Sequence, residues 1–506
     1  MSNKISLSSN ILVSYASQIY VTAIGIVMVP VYIKYMGIEA YGLVGFFVML
    51  QGFFQLMDMG LLPTMARETA RFHGGATDAL SYRRLVRALE GVFLVVALVG
   101  GSALFVASGY IATDWLHSSH LPISEVKAAV QLMAVIIALR WMCGLYRGAI
   151  SGSERLVWLG KYNSVIATGR FIAVLPVLMF IGVTPTIFFS FQFGVEVLEL
   201  TGLMFYAYRL LPRIPKDQRL PWDWAPIKPL LKFSLTIAFT SSVWVLASQT
   251  DKLVLSKILP LAEYAYFTLA VMAAGGVILL IGPVTGSIMP TMVRMEAEGN
   301  QAGLIKVYFT ATQLVAVISS VTSITLAYCA EPLLFAWTGN ETIAHDAAPI
   351  LTLYAFGNGI VAMAGFPYLL QYAKGNLRLH LIGNALFIIL LLPAIIWSAS
   401  QYGGVGAGYV WLTLNLLIFF TWVPYLHTKF LPGMSMKWLG KDVLLIYIAP
   451  LFAGYYLKQF MHFSGGRLLQ LFSVFLFALL LLIASAISST IFWEKIHSLK
   501  GRIYEK

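Results

Sequence analysis

The chain has 506 residues, of which 59% are hydrophobic and 11% are charged, and its formal net charge is +12. A soluble domain carries about 25% charged residues, so this composition excludes an ordinary soluble protein. The longest polar stretches, residues 71–87 and 208–232, are too short to fold alone, so no enzymatic domain outside a membrane is expected.

Apolar stretches, each about long enough to cross a bilayer, follow one another along the chain. A spanning helix needs about 20 mainly apolar residues, because backbone groups without partners are costly in hydrocarbon. The sequence therefore predicts an all-α polytopic membrane protein with about 14 transmembrane helices. Their approximate centres are Ile24, Leu50, Leu98, Ile137, Ile172, Val197, Val245, Leu279, Val317, Val361, Ile389, Leu416, Ala449 and Phe477.

Basic residues divide unequally between the two sets of loops. The termini and the loops after spans 2, 4, 6, 8, 10 and 12 hold most of them, whereas the opposite loops hold only Lys34, Lys127, Lys257, Lys458 and Arg467. The positive-inside rule then predicts that both termini are cytoplasmic. Basic loops that face anionic phospholipids also explain the positive net charge without any nucleic-acid partner.

A short repeat relates two parts of the chain. Span 2 ends in a Pro-Thr-Met-Ala-Arg segment that finishes at Arg67, and span 8 ends in Pro-Thr-Met-Val-Arg, which finishes at Arg294. We interpret spans 1–6 and 7–12 as two pseudo-symmetric lobes around a central cavity, a design suited to alternating access. The predicted boundaries are 1–210 for the N-lobe, 211–232 for a cytoplasmic linker, 233–430 for the C-lobe, and 431–506 for spans 13–14 and a cytoplasmic tail.

Several ionisable residues lie within the spans, where each costs about 2.5–3.5 kcal/mol on insertion scales and therefore needs a reason. Arg147 follows Arg140 by two helical turns on the same face, and Glu196 and Glu199 share a face of span 6. The full set is Asp58, Arg140, Arg147, Arg170, Glu196, Glu199, Asp251 and Lys252.

Two interpretations of the mid-span arginines Arg140 and Arg170 remain open. They could line a cavity that binds a phosphate-bearing substrate, or they could form structural ion pairs with the glutamates of span 6. Arg147 could line the same substrate-binding cavity, or it could reach the lipid headgroups.

The remaining charged positions favour structural or gating roles. Asp58 is expected at the interface between the lobes, where such a role is favoured over contact with the substrate. Asp251 and Lys252 could satisfy each other's charge, although adjacent residues diverge on a helix.

No pattern typical of catalysis or of a metal site appears in the sequence. No His, Asp and Glu cluster has metal-ligand spacing, and neither Cys143 nor Cys329 belongs to a recognisable motif. The phosphate-binding loop of ATPases is also missing from the sequence. We therefore expect no enzymatic activity and no cofactor, and coupling to protons, to sodium or to the membrane potential stays open.

Taken in order, several segments resemble the O-antigen type polysaccharide flippases of the multidrug/oligosaccharidyl-lipid/polysaccharide exporter superfamily. The likeness runs from span 2 to span 12. It is carried by Asp58-Met59-Gly60-Leu61, Tyr146-Arg147-Gly148, Gly152-Ser153-Glu154-Arg155 with Asn163, Asp251-Lys252-Leu253-Val254-Leu255-Ser256, Trp337-Thr338-Gly339 and Gly404-Val405-Gly406-Ala407.

This resemblance implies two six-helix bundles that form a V around a central cavity. It implies movement of an undecaprenyl-diphosphate-linked oligosaccharide to the outer leaflet of a bacterial inner membrane, for O-antigen, capsule or exopolysaccharide synthesis. Polysaccharide polymerase machinery is the further partner expected. Spans 13 and 14 are expected to form a groove for the lipid tail.

Three alternatives remain. Lipid II flippases typically carry an arginine in span 1, where this chain offers Gln18 and Tyr20, which argues against a peptidoglycan precursor. A cation-coupled drug exporter would favour an acidic cavity, so the arginines count against it. A membrane glycosyltransferase or polymerase would need a large outer loop with catalytic residues, and the longest outer segments, 110–125 and 330–349, contain neither Arg nor Lys.

Overall fold

A computed structural model describes residues 7–54, 56, 61–213, 223–490 and 493, without the side chains of 7–12, 14, 229–241 and 244. These residues fold almost entirely into helices, and the part of the chain that is described contains no β-strand. The predicted fold class, an all-α polytopic membrane protein, is therefore confirmed.

The chain forms two compact units, Met1–Ala265 and Tyr266–Lys506. Helix α10 (Leu261–Ala274) crosses their boundary. The first unit contains α1 (Leu7–Met36), α2 (Ile38–Phe54), α3 (Leu61–His73), α4 (Ala79–Tyr110), α5 (Ile123–Gly152), α6 (Leu156–Phe171), α7 (Val174–Phe180), α8 (Pro185–Leu210) and α9 (Lys228–Ile258).

The second unit contains the remaining helices and a π-helical turn, Trp438–Leu444, that leads into α18. Its helices are α11 (Gly276–Ala297), α12 (Gln301–Tyr328), α13 (Ala330–Thr338), α14 (Glu341–Ala364), α15 (Phe366–Ala373), α16 (Arg378–Phe430), α17 (Ser435–Lys437), α18 (Leu445–Phe460) and α19 (Arg467–Ser488). The lobe boundaries and the linker at 211–232 stay predictions, and residues 214–222 lie outside the described part.

Among the described residues, 11 helices are long and apolar enough to cross a membrane. One of them, α16, has 53 residues and breaks at Gly403, whose φ of 56° lies outside the helical region. A straight helix of that length would extend about 80 Å, against a hydrocarbon core of about 30 Å. Thirteen of the predicted span centres fall within helices, and Ile172 lies in the short turn between α6 and α7. The total of fourteen spans stays a prediction.

Helix α5 lies at the centre of the first unit, where it packs against α3, α4 and α8. Gly148 and Gly152 lie one turn apart on α5 and face α3, so that no side chain separates the two backbones. This small-xxx-small spacing is a common way for membrane helices to approach closely. At its start, α4 is capped by Asp78, whose carboxylate accepts hydrogen bonds from the backbone N–H groups of Leu80 and Ser81.

Helix α12 has the corresponding central place in the second unit, packed against α11, α14, α18 and α19. Its buried serines bond to the last two helices: Ser319 to Tyr447 at 2.7 Å and Ser320 to Ser485 at 3.1 Å. At the start of α19, Arg467 donates to the carbonyls of Ala336 and Trp337 at the end of α13. The appended helices are therefore integral to this unit.

The repeat found in the sequence occupies similar local positions in the two units. Met65 on α3 and Met292 on α11 are the central residues of the two motifs, and both are completely buried. In the second unit, the helical segment that leads to the motif is interrupted between α10 and α11.

Candidate functional site

Five of the intramembrane charges come together within the first unit. Arg140 and Arg147 extend from α5, Arg170 comes from the end of α6, and Glu196 and Glu199 come from α8. The sequence spacing explains the arrangement on each helix, since residues three or seven apart lie on one face. We call these five residues the arginine–glutamate cluster.

Glu196 is the buried centre of this cluster. Its Oε2 accepts hydrogen bonds from Arg140 Nη2 at 2.6 Å, from Arg140 Nε at 3.1 Å and from Arg170 Nη2 at 2.9 Å. The glutamate side chain has no exposed surface. A carboxylate without such partners would be very costly at this position, so the two arginines account for its presence.

Glu199 joins the other half of the cluster. Its Oε2 lies 2.5 Å from Arg170 Nη2, and its Oε1 accepts a hydrogen bond from Arg147 Nη2. Arg147 also donates from Nη1 to Asn163 Oδ1 at 2.6 Å. Arg170 therefore connects the two glutamates, and the five charges form one continuous network.

The charges of the cluster do not cancel, because three guanidinium groups face two carboxylates. The guanidinium-bearing side chains of Arg140, Arg147 and Arg170 are 27%, 30% and 21% exposed, whereas both glutamates are buried. Each arginine has five N–H donors, and Arg170 Nε is buried without a hydrogen-bond partner among the described residues. The accessible part of the cluster is therefore cationic and retains guanidinium N–H groups that can donate hydrogen bonds to a ligand.

This arrangement is better suited to an anion than to a metal ion. Cys143, Glu196 and Glu199 place three potential ligand atoms within 4.8 Å of one another. Both carboxylates already accept hydrogen bonds from guanidinium groups, however, and a bound cation would be repelled by three adjacent positive charges.

The ion pairs expected under the structural interpretation of Arg140 and Arg170 are present in this geometry. Arg147 turns toward Glu199 and Asn163. Binding of a substrate by the partly exposed edges of these arginines stays a prediction.

The other predicted positions lie apart from the cluster. Asp58 is outside the described residues. Lys252 Nζ lies 3.5 Å from Asp251 Oδ1 and donates to the carbonyl of Ser248 at 2.6 Å, so the two neighbours do come within reach of each other.

The two arginines of the repeat motif each approach an acid on their own helix. Arg67 Nη1 lies 3.9 Å from Glu68 Oε1, and Arg294 Nε lies 3.8 Å from Glu298 Oε1. Both members of the Arg294–Glu298 pair are exposed, so that pair is weak, whereas Glu68 is buried beside Arg67.

Three residues that contact the cluster were given no role in the sequence analysis: Asn163, Gln192 and Phe47. Asn163 appeared only as part of a motif, yet it positions Arg147. Gln192 donates to the carbonyl of Arg170 at 3.0 Å. Because Gln192 lies one turn before Glu196 on α8, the sequence alone could have indicated that it lies near the cluster. Arg140 lies 5.5 Å from the ring centre of Phe47 on α2, a contact that no sequence spacing indicates.

Solved structures with a similar fold are membrane transporters. A lipid II flippase, MurJ, in an inward closed conformation has a TM-score of 0.71 at 14% identity, with 96% of this chain and 99% of that chain covered. An inward-facing multidrug resistance MATE family transporter of the MOP superfamily has a TM-score of 0.61 at 14% identity, with 80% and 93% covered. A MOP superfamily transporter from Pyrococcus furiosus has a TM-score of 0.54 at 12% identity, with 83% and 95% covered.

At these identities the likeness shows the fold alone. No curated protein matches the chain. The sequence does match the family described as "Polysaccharide biosynthesis protein" over residues 7–296, more than half of its length. With the helices and the fold described above, this match shows that the chain is a multi-pass membrane protein of the polysaccharide biosynthesis protein family.

Proposed function

We propose that the protein is a flippase that moves an undecaprenyl-diphosphate-linked oligosaccharide across a bacterial inner membrane. Translocation runs from the cytoplasmic to the outer leaflet, by alternating access of the two lobes around a central cavity. The product serves the synthesis of a cell-surface polysaccharide such as O-antigen, capsule or exopolysaccharide. The family and the shared fold of flippases and exporters support this proposal.

The observation that carries the proposal is the cationic edge of the arginine–glutamate cluster. Sugars and a diphosphate cannot enter hydrocarbon without compensating partners. Partly exposed guanidinium groups inside a membrane protein provide such partners, since Arg binds phosphate oxygens through two parallel hydrogen bonds. In our mechanism Arg140 and Arg170 bind the diphosphate or an acidic sugar, while Glu196 and Glu199 hold both arginines in place.

The lipid tail needs an apolar path of its own. Within the second unit, a cavity of about 340 Å³ lies between α12, α14, α16 and α18 and is lined mainly by apolar side chains, among them Ile324, Phe356, Leu416 and Ile448. We propose that spans 13 and 14 form a groove for the tail, and of these two spans it is span 13, through α18, that lines this cavity. Transport that survives their deletion would contradict this assignment.

Orientation, location and partners belong to the same proposal. Both termini lie in the cytoplasm, the basic loops contact anionic phospholipids, and a polysaccharide polymerase receives the product. Transport draws on a proton or sodium gradient, or on the membrane potential, and involves no covalent chemistry.

The test is movement of a fluorescent lipid-diphosphate oligosaccharide across proteoliposomes that contain the purified protein. Wild type should translocate the lipid, and Arg140→Ala should reduce the rate at least tenfold, equivalent to about 1.4 kcal/mol. The exposed Arg84 offers a matched control, so Arg84→Ala should retain the wild-type rate. Equal rates in Arg140→Ala and wild type would make Arg140 purely structural.

The conservative variant Arg140→Lys separates the two roles of the cluster. It keeps a positive charge opposite Glu196, so it should retain most of the stability of the wild type. It loses the planar guanidinium group that can bind phosphate oxygens through two parallel hydrogen bonds. A wild-type melting temperature with a reduced transport rate would support a role in substrate binding, and an unchanged transport rate would count against it.

A multidrug exporter is the second candidate, because MATE transporters share the fold. Its cargo would be a cationic drug, which the positive edge of the cluster disfavours. A lipid II flippase is the third, favoured by the fold of MurJ and disfavoured by the residues of span 1. Competition of the fluorescent lipid with a cationic dye and with lipid II, in the same proteoliposomes, distinguishes the three.

A further inference from the structure

A buried carboxyl group in the second unit has no role in the function proposed above. Asp442 lies in the π-helical turn Trp438–Leu444, and only 2% of its surface is exposed. Its Oδ1 accepts a hydrogen bond from Gln313 Nε2 on α12 at 2.5 Å. Its Oδ2 is buried and has no hydrogen-bond partner among the described residues.

The described residues around this carboxyl group are polar, and none of them forms a salt bridge to it. Gln313 Nε2 also donates to Thr490 Oγ1 at 2.7 Å, and Gln313 Oε1 accepts from Ser489 Oγ at 2.9 Å. Gln313 thus links Asp442 to the hydroxyl groups of the two residues just after α19.

Ionisable residues lie on several of the elements that pack around Asp442. Lys437 and Lys441 belong to the same segment, and neither comes within ion-pair distance of Asp442 in the described structure. Tyr308 on α12 and His427 on α16 contact Trp438, one turn earlier. Tyr447 on α18 bonds to Ser319, and the residues that follow α19 contribute the hydroxyl groups of Ser489 and Thr490.

An ionised carboxylate in such a place is unstable without a compensating charge. Transfer of an isolated carboxylate from water into a protein interior costs several kcal/mol even after relaxation. One amide hydrogen bond offsets only part of that cost, since a hydrogen bond to a charged group contributes about 1.5–3 kcal/mol. Asp442 Oδ2 has no hydrogen-bond partner among the described residues, so the cost of removing this oxygen from water is not offset.

We propose that Asp442, together with Gln313, Ser489 and Thr490, forms a buried binding site for one small cation, either a proton or a sodium ion. A proton on Oδ2 would neutralise the group. A sodium ion would take the Asp442 carboxylate and nearby oxygen atoms as its ligands. The π-helical turn supports the assignment, because such turns are frequent at functional sites.

The position of the site gives the cation a structural consequence. It joins α12 to the π-helical turn and to the end of α19, so occupancy determines how firmly these elements are held together. A ligand that binds the folded protein preferentially raises its stability by mass action. The site can therefore be detected without any transport measurement, which makes it independent of the proposed function.

The experiment is thermal unfolding of the purified full-length protein in detergent. Melting temperatures are measured with and without sodium chloride, with choline chloride at the same ionic strength as the reference, and between about pH 5 and pH 9. Wild type should be stabilised by sodium, or by lower pH if the ligand is a proton, by about 2 °C or more. Asp442→Asn is neutral and of similar size, and it should lose that dependence.

The outcomes separate the two ligands and also provide a way to reject the proposal. A sodium effect that disappears in Asp442→Asn identifies sodium, and a pH effect alone that disappears identifies a proton. Ser485→Ala, which alters another buried hydroxyl group between α12 and α19, should retain the wild-type dependence. The same sodium and pH responses in Asp442→Asn and wild type would overturn the proposal.

A second variant keeps the test decisive if Asp442→Asn does not fold. Gln313→Met removes the amide that hydrogen-bonds to the ionised carboxylate, and it also removes an oxygen atom of the site. A proton should then bind more tightly, whereas a sodium ion should bind less tightly. The midpoint of the dependence should move to higher pH if the ligand is a proton, or to higher sodium concentration if it is sodium. An unchanged midpoint in folded Gln313→Met protein would also overturn the proposal.

Discussion

Glu196 Oε2 lies 2.6 Å from Arg140 Nη2, and the carboxylate that accepts this hydrogen bond is completely buried while the arginine remains partly exposed. The pair is therefore asymmetric. The acid depends on the base for its stability inside the membrane, whereas the base can still reach a ligand with its remaining donors. This asymmetry allows the same residues to have structural and binding roles.

Glu196→Gln tests the structural half of this relationship. The change leaves Arg140 with only a neutral partner and Arg170 with Glu199 as its remaining carboxylate. Loss of one member of a buried ion pair costs about 3–5 kcal/mol. Because both arginines are partly solvated, we expect about 2–3 kcal/mol and a clear decrease in melting temperature.

The control for this change is Glu331→Gln. Glu331 is 60% exposed beside His345, so its removal should alter the melting temperature little. If Glu196→Gln and Glu331→Gln melted at the same temperature, the buried network would have no role in stability.

Gly152 permits close contact between α5 and α3, and Gly152→Ala should weaken that contact. A Cβ atom at this position would come within 2.6 Å of Thr69 Cβ, so α3 would have to move. Overpacking of this kind costs about 1–3 kcal/mol. Thermal unfolding measures the effect, with Gly169→Ala on α6 as the matched control.

Gly169 has open space around it. Alanine there should be neutral or stabilise the helix by up to about 1 kcal/mol, because alanine has the higher helix propensity. A loss of stability in Gly169→Ala as large as that in Gly152→Ala would contradict the packing argument.

Asn358 stabilises the interruption between α10 and α11. Its Nδ2 donates to the carbonyl of Ala274 at 2.9 Å, and its Oδ1 accepts from Trp411 Nε1 at 3.1 Å. Asn358→Leu leaves both partners buried and unpaired, at about 1–3 kcal/mol each. The melting temperature should fall, whereas Asn384→Leu, which removes only a bond to His380 on the same helix, should change it little. Equal decreases would show that the interruption does not need this amide.

Asp78 gives the first turn of α4 a dependence on pH. Hydrogen bonds from Ser81, first from its hydroxyl and then from its backbone N–H, lower the pKa of this exposed carboxyl. The contribution is complete above the ordinary carboxyl pKa of about 3.9 and is lost as the pH falls through the lower folded-state pKa.

Hydrogen exchange of the Leu80 and Ser81 amides measures this effect. Protection in wild type should decrease below about pH 4, relative to Asp78→Asn, which keeps a cap that does not titrate. Parallel pH profiles in the two proteins would show that the carboxylate form of Asp78 is not required.

The sequence was sufficient for the fold class and for the residues of the cluster, and insufficient for the contacts between them. Spacing placed Glu196 and Glu199 on one face of a helix, because that depends only on helical geometry. It left open whether Arg140 would pair with them, because the pairing depends on how α5 packs against α8. Asp442 was missed for the same reason: near the end of a span it looks like an interfacial charge, and its burial and its bond to Gln313 on α12 depend on how the helices pack.

Arg467 is an exception to the uneven distribution of basic residues, and its contacts explain why it is there. It is the one arginine on the side of the membrane that the topology rule leaves poor in positive charge. Its guanidinium group caps the carboxyl end of α13, where the helix dipole favours a cation. Arg467 therefore attaches the start of the last span to α13, and this contact explains its position without reference to membrane topology. With Ser489 bonded to Gln313 at the opposite end, α19 is held to other helices of the second unit at both of its ends, so it should move together with that unit as one body.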